Sequence, residues 1–106
     1  MPKYMTRVSF TTEGVKGLQK EKPTQRRAAV AKLLESAGGK LETFYFAFGK
    51  TDALVIADLP DHGAAASASL TLAGSGAVTS KITVLLTPEE LDQAVKKSGS
   101  YTPPGR

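Results

Sequence analysis

Few side chains in this sequence are equipped for acid–base or ligand chemistry, and they are scattered. There is one histidine, His62, and no cysteine. A single histidine can act as a general base or as a heme ligand. His62 has no second histidine or carboxylate at ligand spacing, so the pattern does not make a structural metal site. It follows Asp61, a good helix N-cap, and a histidine at a helix N-terminus tends to stay neutral. Its first reading is therefore a surface position, with general base as the alternative. Asp52 closes the short turn Gly49-Lys50-Thr51-Asp52. A carboxylate there is expected to accept backbone N–H bonds, and catalytic acid is its second reading. His62 and Asp52 are the candidate catalytic groups. Without cysteine there is no disulfide framework, thiolate metal site or cysteine nucleophile. No glycine-rich phosphate loop, nucleophile elbow or paired catalytic carboxylates are present, and Gly74-Ser75-Gly76 reads as a helix end. No cofactor site is read.

The charge and aromatic content narrow the partners. Net charge is +4. The excess is local: Lys16, Lys20, Lys22, Arg26, Arg27 and Lys32 face only Glu21 in that stretch, which reads as a solvated helix face. Arg26 and Arg27 are adjacent and point in different directions on a helix. The block FYFAF (residues 44–48) could stack bases if it lay on an open central strand. It falls instead on the second strand, an edge strand in the topology reached below, and the basic-aromatic pattern of RNA-recognition strands is absent. Nucleic acid is not the expected partner. Phe44, Phe46 and Phe48 share one face and are expected in the core, which leaves Tyr45 exposed.

These residues are positioned by a regular series of elements. Lys3 to Thr11 alternates, with Tyr4, Thr6, Val8 and Phe10 on one side and Lys3, Met5, Arg7 and Ser9 on the other, as in a strand with one apolar face. Thr12 begins a helix with Glu13 in its first turn and Val15 and Leu18 on its buried side. Pro23 forces a kink or restart. Val30, Leu33, Leu34 and Ala37 then follow amphipathic helical spacing up to Gly38-Gly39. Residues 40–48 form a second strand, with Leu41, Thr43, Tyr45 and Ala47 opposite Glu42, Phe44, Phe46 and Phe48. Ala53 to Leu59 is apolar on both faces and reads as a central strand. After Pro60 and Asp61, the alanine- and serine-rich stretch to Gly74 is a helix that can lie close to a sheet. Residues 77–86 form a fourth strand. Thr87-Pro88-Glu89-Glu90 is a capping box that opens a helix to about Lys97.

This order predicts an α+β, ferredoxin-like βαββαβ fold: an antiparallel four-stranded sheet with two helices on one face, plus a short C-terminal helix. Residues 1–97 are expected to form the domain and 98–106 a polar, proline-rich tail. The bare sheet face should carry Met5/Arg7/Ser9, Thr43/Tyr45/Ala47 and Thr83/Leu85, a half-apolar surface suited to a partner. An apolar fraction of 41% is ordinary for a globular chain, so global disorder is not expected. The N-terminus MPKYMTRVSF lacks a long apolar stretch and a small-residue cleavage pattern, and the run 53–59 is too short to span a membrane. The expected setting is cytoplasmic, with no membrane partner.

The initial PKY strand, TTEGVKGL, RRAAVAKL, GGKLETFYFAFG, the turn GKTD, LVIADLPD and LLTPEE together resemble the GYD domain family, over Met1 to about Lys97. The family's name motif falls at Gly49 to Asp52. Gly49 and Asp52 match, and Thr51 stands where the tyrosine is expected. The resemblance implies an architecture related to the dimeric α+β barrel proteins, in which two such sheets pack through their bare sides. That group includes small monooxygenases, muconolactone isomerase-like enzymes, heme-degrading proteins and stress-response proteins. No activity comes with the family name itself. The expected partners are thus a second copy, as homodimer or higher homo-oligomer, and a small, partly apolar ligand. The candidate ligand-binding set is Tyr4, Arg7, Tyr45 and Thr83. The other two readings are a barrel-type enzyme acting on a small aromatic or lactone, and a protein interaction module.

Overall fold

The computed structural model describes residues 1–106. The first strand, β1 (Lys3–Phe10), buries Tyr4 and Val8 on one face and exposes Arg7 on the other. Helix α1 (Thr12–Lys20) starts at Thr11, whose hydroxyl accepts from Gly14 N at 3.2 Å. Glu13 and Lys20 match the two ends of its dipole. Pro23 then divides the helical stretch, as its missing N–H requires. Helix α2 (Pro23–Ser36) restarts there, with Gln25 Oε1 accepting from Lys22 N at 3.0 Å. Gly38, at φ 83°, turns the chain into β2 (Lys40–Phe46). The remaining elements are β3 (Ala53–Asp58), α3 (His62–Gly74), β4 (Val78–Leu85) and α4 (Pro88–Lys96).

The four strands form one sheet in the order β2-β3-β1-β4, and every pair is antiparallel. This is the ferredoxin-like α+β arrangement, and β3, apolar on both faces, lies inside it. Residues paired across an antiparallel ladder share a face. Tyr4 pairs with Ala57 and Val8 with Ala53, which sets the helix-side face. There Tyr4, Leu34, Val55, Ala57, Leu59 and Ala65 form the core, with Val30, Leu41 and Phe44 packed on its margin. The opposite face has no helix on it and carries Met5, Arg7, Thr43, Tyr45, Leu54, Ile56, Lys81 and Thr83 by the same registers.

Three local expectations change. A bulge between Leu41 and Thr43 shifts β2 by one residue, so Leu41 joins Phe44 on the helix side instead of Thr43 on the open side. The strand ends at Phe46, and Phe48 lies in the turn, fully exposed. Of the three phenylalanines, only Phe44 packs on the core, with Phe46 edge-on to it at 5.1 Å between ring centroids. In α1 the buried position is Gly14, and Val15 is exposed. The helix meets the chain through its backbone, because Gly14 abuts the carbonyl of Ala77.

Helix α4 packs on nothing substantial: none of its residues is buried. The chain's radius of gyration is 16.9 Å, with extents of 58 × 33 × 22 Å. A compact domain of this length would have a radius near ~13 Å. No helix is long and apolar enough to cross a membrane.

Candidate functional site

The side chains of α3 leave space where larger ones would fill it. Ala65 and Ala68 are its buried positions, and between α3, α2 and the sheet lies a cleft of about 290 Å³. Val8 and Phe44 floor it, Leu33 and Leu34 wall it from α2, and Ala68 and Leu72 wall it from α3. Most of the lining is hydrophobic, and Arg26, Thr71 and Ser75 supply polar groups. At the cost per volume measured for core cavities, an empty enclosed void of this size would forfeit about 7 kcal/mol, an upper bound for a cleft that opens to solvent. That is comparable to the whole stability of a small domain. The composition signal for this space was the alanine and serine run. By itself that run signals only a helix able to lie close to a sheet.

Tyr4 also lines the cleft and is 2% exposed. Its hydroxyl is hydrogen bonded to His62 Nδ1 at 2.7 Å, and the two rings meet edge to face with centroids 5.8 Å apart. The phenol donates when Nδ1 is the unprotonated nitrogen of a neutral ring. The pair joins the first residues of β1 to the first turn of α3. His62 is held there because Asp61 caps that turn, accepting from Ala64 N at 2.8 Å.

The Asp52 side chain reaches β1, while its backbone carbonyl closes its own turn. Its Oδ2 accepts from Phe10 N at 2.8 Å, its N–H donates to Val8 O at 2.8 Å, and its carbonyl accepts from Ala47 N at 2.9 Å. The carboxylate thus closes the ladder at the end of β1, where Phe10 N would otherwise lack a partner. Gly49 takes φ 132°, a value side-chain-bearing residues rarely adopt, which explains the glycine of this turn.

On the open face the registers align Tyr45, Leu54, Arg7 and Lys81 in one row across all four strands. The next row is Thr43, Ile56, Met5 and Thr83. Tyr45 is 66% exposed. Arg7 and Lys81 are directly opposed like charges, which is unfavourable on a strand pair. Neither joins any of the three ion pairs in the chain, which are Lys3–Glu42, Lys3–Asp58 and Arg26–Glu21. Hydrogen bonds from Lys3 to Asp58 at 2.9 Å and to Glu42 at 3.0 Å hold its ammonium pKa above the ordinary value.

The candidate ligand-binding residues therefore divide. Arg7, Tyr45 and Thr83 share the open face, and Tyr4 is on the other side of the sheet, hydrogen bonded to His62. Lys81 was missed, although it has the parity of Thr83 in KITVL. No three His, Cys, Asp or Glu side chains come together as a metal site.

A search among curated proteins returned no match. The family model described as GYD domain matches residues 4–95. That span runs from the buried Tyr4 through both hydrogen-bonded sites to the last turn of α4, and on it the chain belongs to the GYD domain family.

Proposed function

We propose that this GYD-domain protein binds a small, largely apolar molecule in the helix-side cleft and works as a homodimer assembled through its open sheet face. The observation that carries the reading is the cleft: an apolar space of about 290 Å³ under α2 and α3 favours an apolar occupant over water. Tyr4 then serves the ligand, by its ring and its hydroxyl at the cleft wall. Arg7, Tyr45 and Thr83 serve the partner. The half-apolar rows and the unpaired Arg7 and Lys81 support that assignment, since such a surface gains from being covered by a complementary one.

Native mass spectrometry on gently purified protein tests both parts. The expected result is a dimer carrying an added mass. Ala68→Leu, which fills the cleft from α3, should remove the added mass and keep the dimer. Tyr45→Asp should give monomers. A wild-type monomer at micromolar concentration ends the assembly reading. An added mass that persists in Ala68→Leu ends the cleft reading.

A second reading, an enzyme resembling the isomerases or monooxygenases of the barrel group, is favoured by the Tyr4–His62 contact. A phenol and an imidazole joined at 2.7 Å beside an apolar cleft can move a proton to or from a bound aromatic or lactone. If His62→Ala keeps full turnover of a substrate found for the wild type, that assignment fails.

A further inference from the structure

Helix α4 has an apolar stripe that its own chain does not cover. Leu91 and Val95, one turn apart, are 54% and 64% exposed. A nine-residue helix is marginal in water unless such a stripe is packed. Yet its start is fully specified. Thr87 Oγ1 accepts from Glu90 N at 3.1 Å, Glu90 Oε1 accepts from Thr87 N at 3.2 Å, and Pro88 occupies the first turn. The helix so started has no buried residue and packs substantially on no strand of its own sheet. Asp92 and Glu90 flank the stripe, and no carboxylate of α4 is in an ion pair. The open sheet face is the chemical complement. Met5, Leu54 and Ile56 give it an apolar centre, and Arg7 and Lys81 are cations without a partner.

We propose that α4 of each protomer lies on the open sheet face of a second copy. Leu91 and Val95 cover Met5, Leu54 and Ile56, and the carboxylates beside them meet Arg7 and Lys81. The exchange is reciprocal, so it closes at two copies and leaves no free arm. It rests on the reading that the open face is the assembly face, and names the element that covers it.

The full-length chain supplies the test, by analytical ultracentrifugation with circular dichroism to confirm the fold. Because α4 buries nothing in its own chain, Leu91→Ser with Val95→Ser leaves the domain folded. The dimer dissociation constant should rise about a hundredfold or more, because each dimer loses four buried apolar side chains, two from each protomer. Asp92→Lys should weaken the dimer about tenfold, and Lys81→Asp added to it should restore part of the loss. The chain has no cysteine, so single-cysteine variants report contacts cleanly. Val95→Cys mixed with Leu54→Cys should oxidise to a two-chain species. A wild-type monomer overturns this proposal together with the assembly reading. A wild-type dimer whose dissociation constant is unchanged by the double serine variant, with no mixed disulfide, overturns the α4 exchange alone.

Discussion

Replacing Gly14 by alanine tests how α1 is attached to the sheet. A Cβ on Gly14 would overlap the carbonyl oxygen of Ala77, and would lie 3.0 Å from its carbon and 3.3 Å from Phe10 Cδ1. The main obstacle is backbone, so no rotamer change removes it. Helix α1 must withdraw by roughly the overlap. That movement breaks the bonds that tie the helix N-cap to the segment before β4, Thr11 N to Ala77 O at 2.9 Å and Thr11 Oγ1 to Gly76 O at 2.8 Å. Each is worth about 1 kcal/mol, and overpacking adds about 1–3 kcal/mol. Alanine's better helix propensity returns about 1 kcal/mol. The net loss is about 3 kcal/mol, or roughly 12–20 °C in Tm for a domain of this size. Gly17 lies in the same helix with nothing within 4 Å of its Cβ position. Gly17→Ala should therefore stabilise by about 0.5–1 kcal/mol from propensity alone. Urea denaturation followed by circular dichroism, at one protein concentration, gives both values. If Gly14→Ala unfolds within about 0.5 kcal/mol of wild type, the close approach of α1 to Ala77 is wrong, since the named steric mechanism would have vanished.

Asp52→Ala should cost about 2 kcal/mol, because Phe10 N loses a charged acceptor, and Asp52→Asn should recover most of it through its remaining carbonyl. Equal losses in the two variants would refute the hydrogen-bond account. Tyr4→Phe and His62→Ala should show a coupling of about 1 kcal/mol in a double-mutant cycle by denaturation, and strict additivity would sink the contact. Lys3 has a folded pKa raised above its ordinary 10.5, first by its hydrogen bond to Asp58 and then by that to Glu42. Its contribution is fully present below that ordinary value and is lost as pH rises through the folded pKa. Alkaline stability curves of wild type and Lys3→Met should therefore converge at high pH, by a small margin because the pair is exposed. Curves that run parallel throughout would show that the pair contributes nothing.

Much of the fold was legible because it depends on periodicity and punctuation. The period of two in residues 3–11 assigned the faces of β1 correctly. Pro23 split the helices, Gly38 ended the second, and the apolar run 53–59 announced an inner strand. These are local steric and hydrogen-bonding constraints, carried by a few neighbouring residues. Strand parity likewise placed Arg7, Tyr45 and Thr83 on one face. Parity failed at the start of β2, where a bulge moved Leu41, and a single inserted residue leaves no periodic trace once the pattern is short.

What only the tertiary structure decided was which surfaces meet. Tyr4 reaches His62, 58 positions along the chain, and Asp52 satisfies Phe10, 42 positions away at the end of β1. Gly14 rather than Val15 is the contact of α1, because that helix approaches by its backbone. The cleft exists because small residues of α3 face larger ones of α2 across a fixed helix–sheet spacing. No local pattern encodes that spacing, since it is set by how two elements distant in sequence settle on one sheet. The sequence by itself determined the elements, their order and the chemistry each face carries. The packing decided which of those chemistries are joined, and which are left open to a partner.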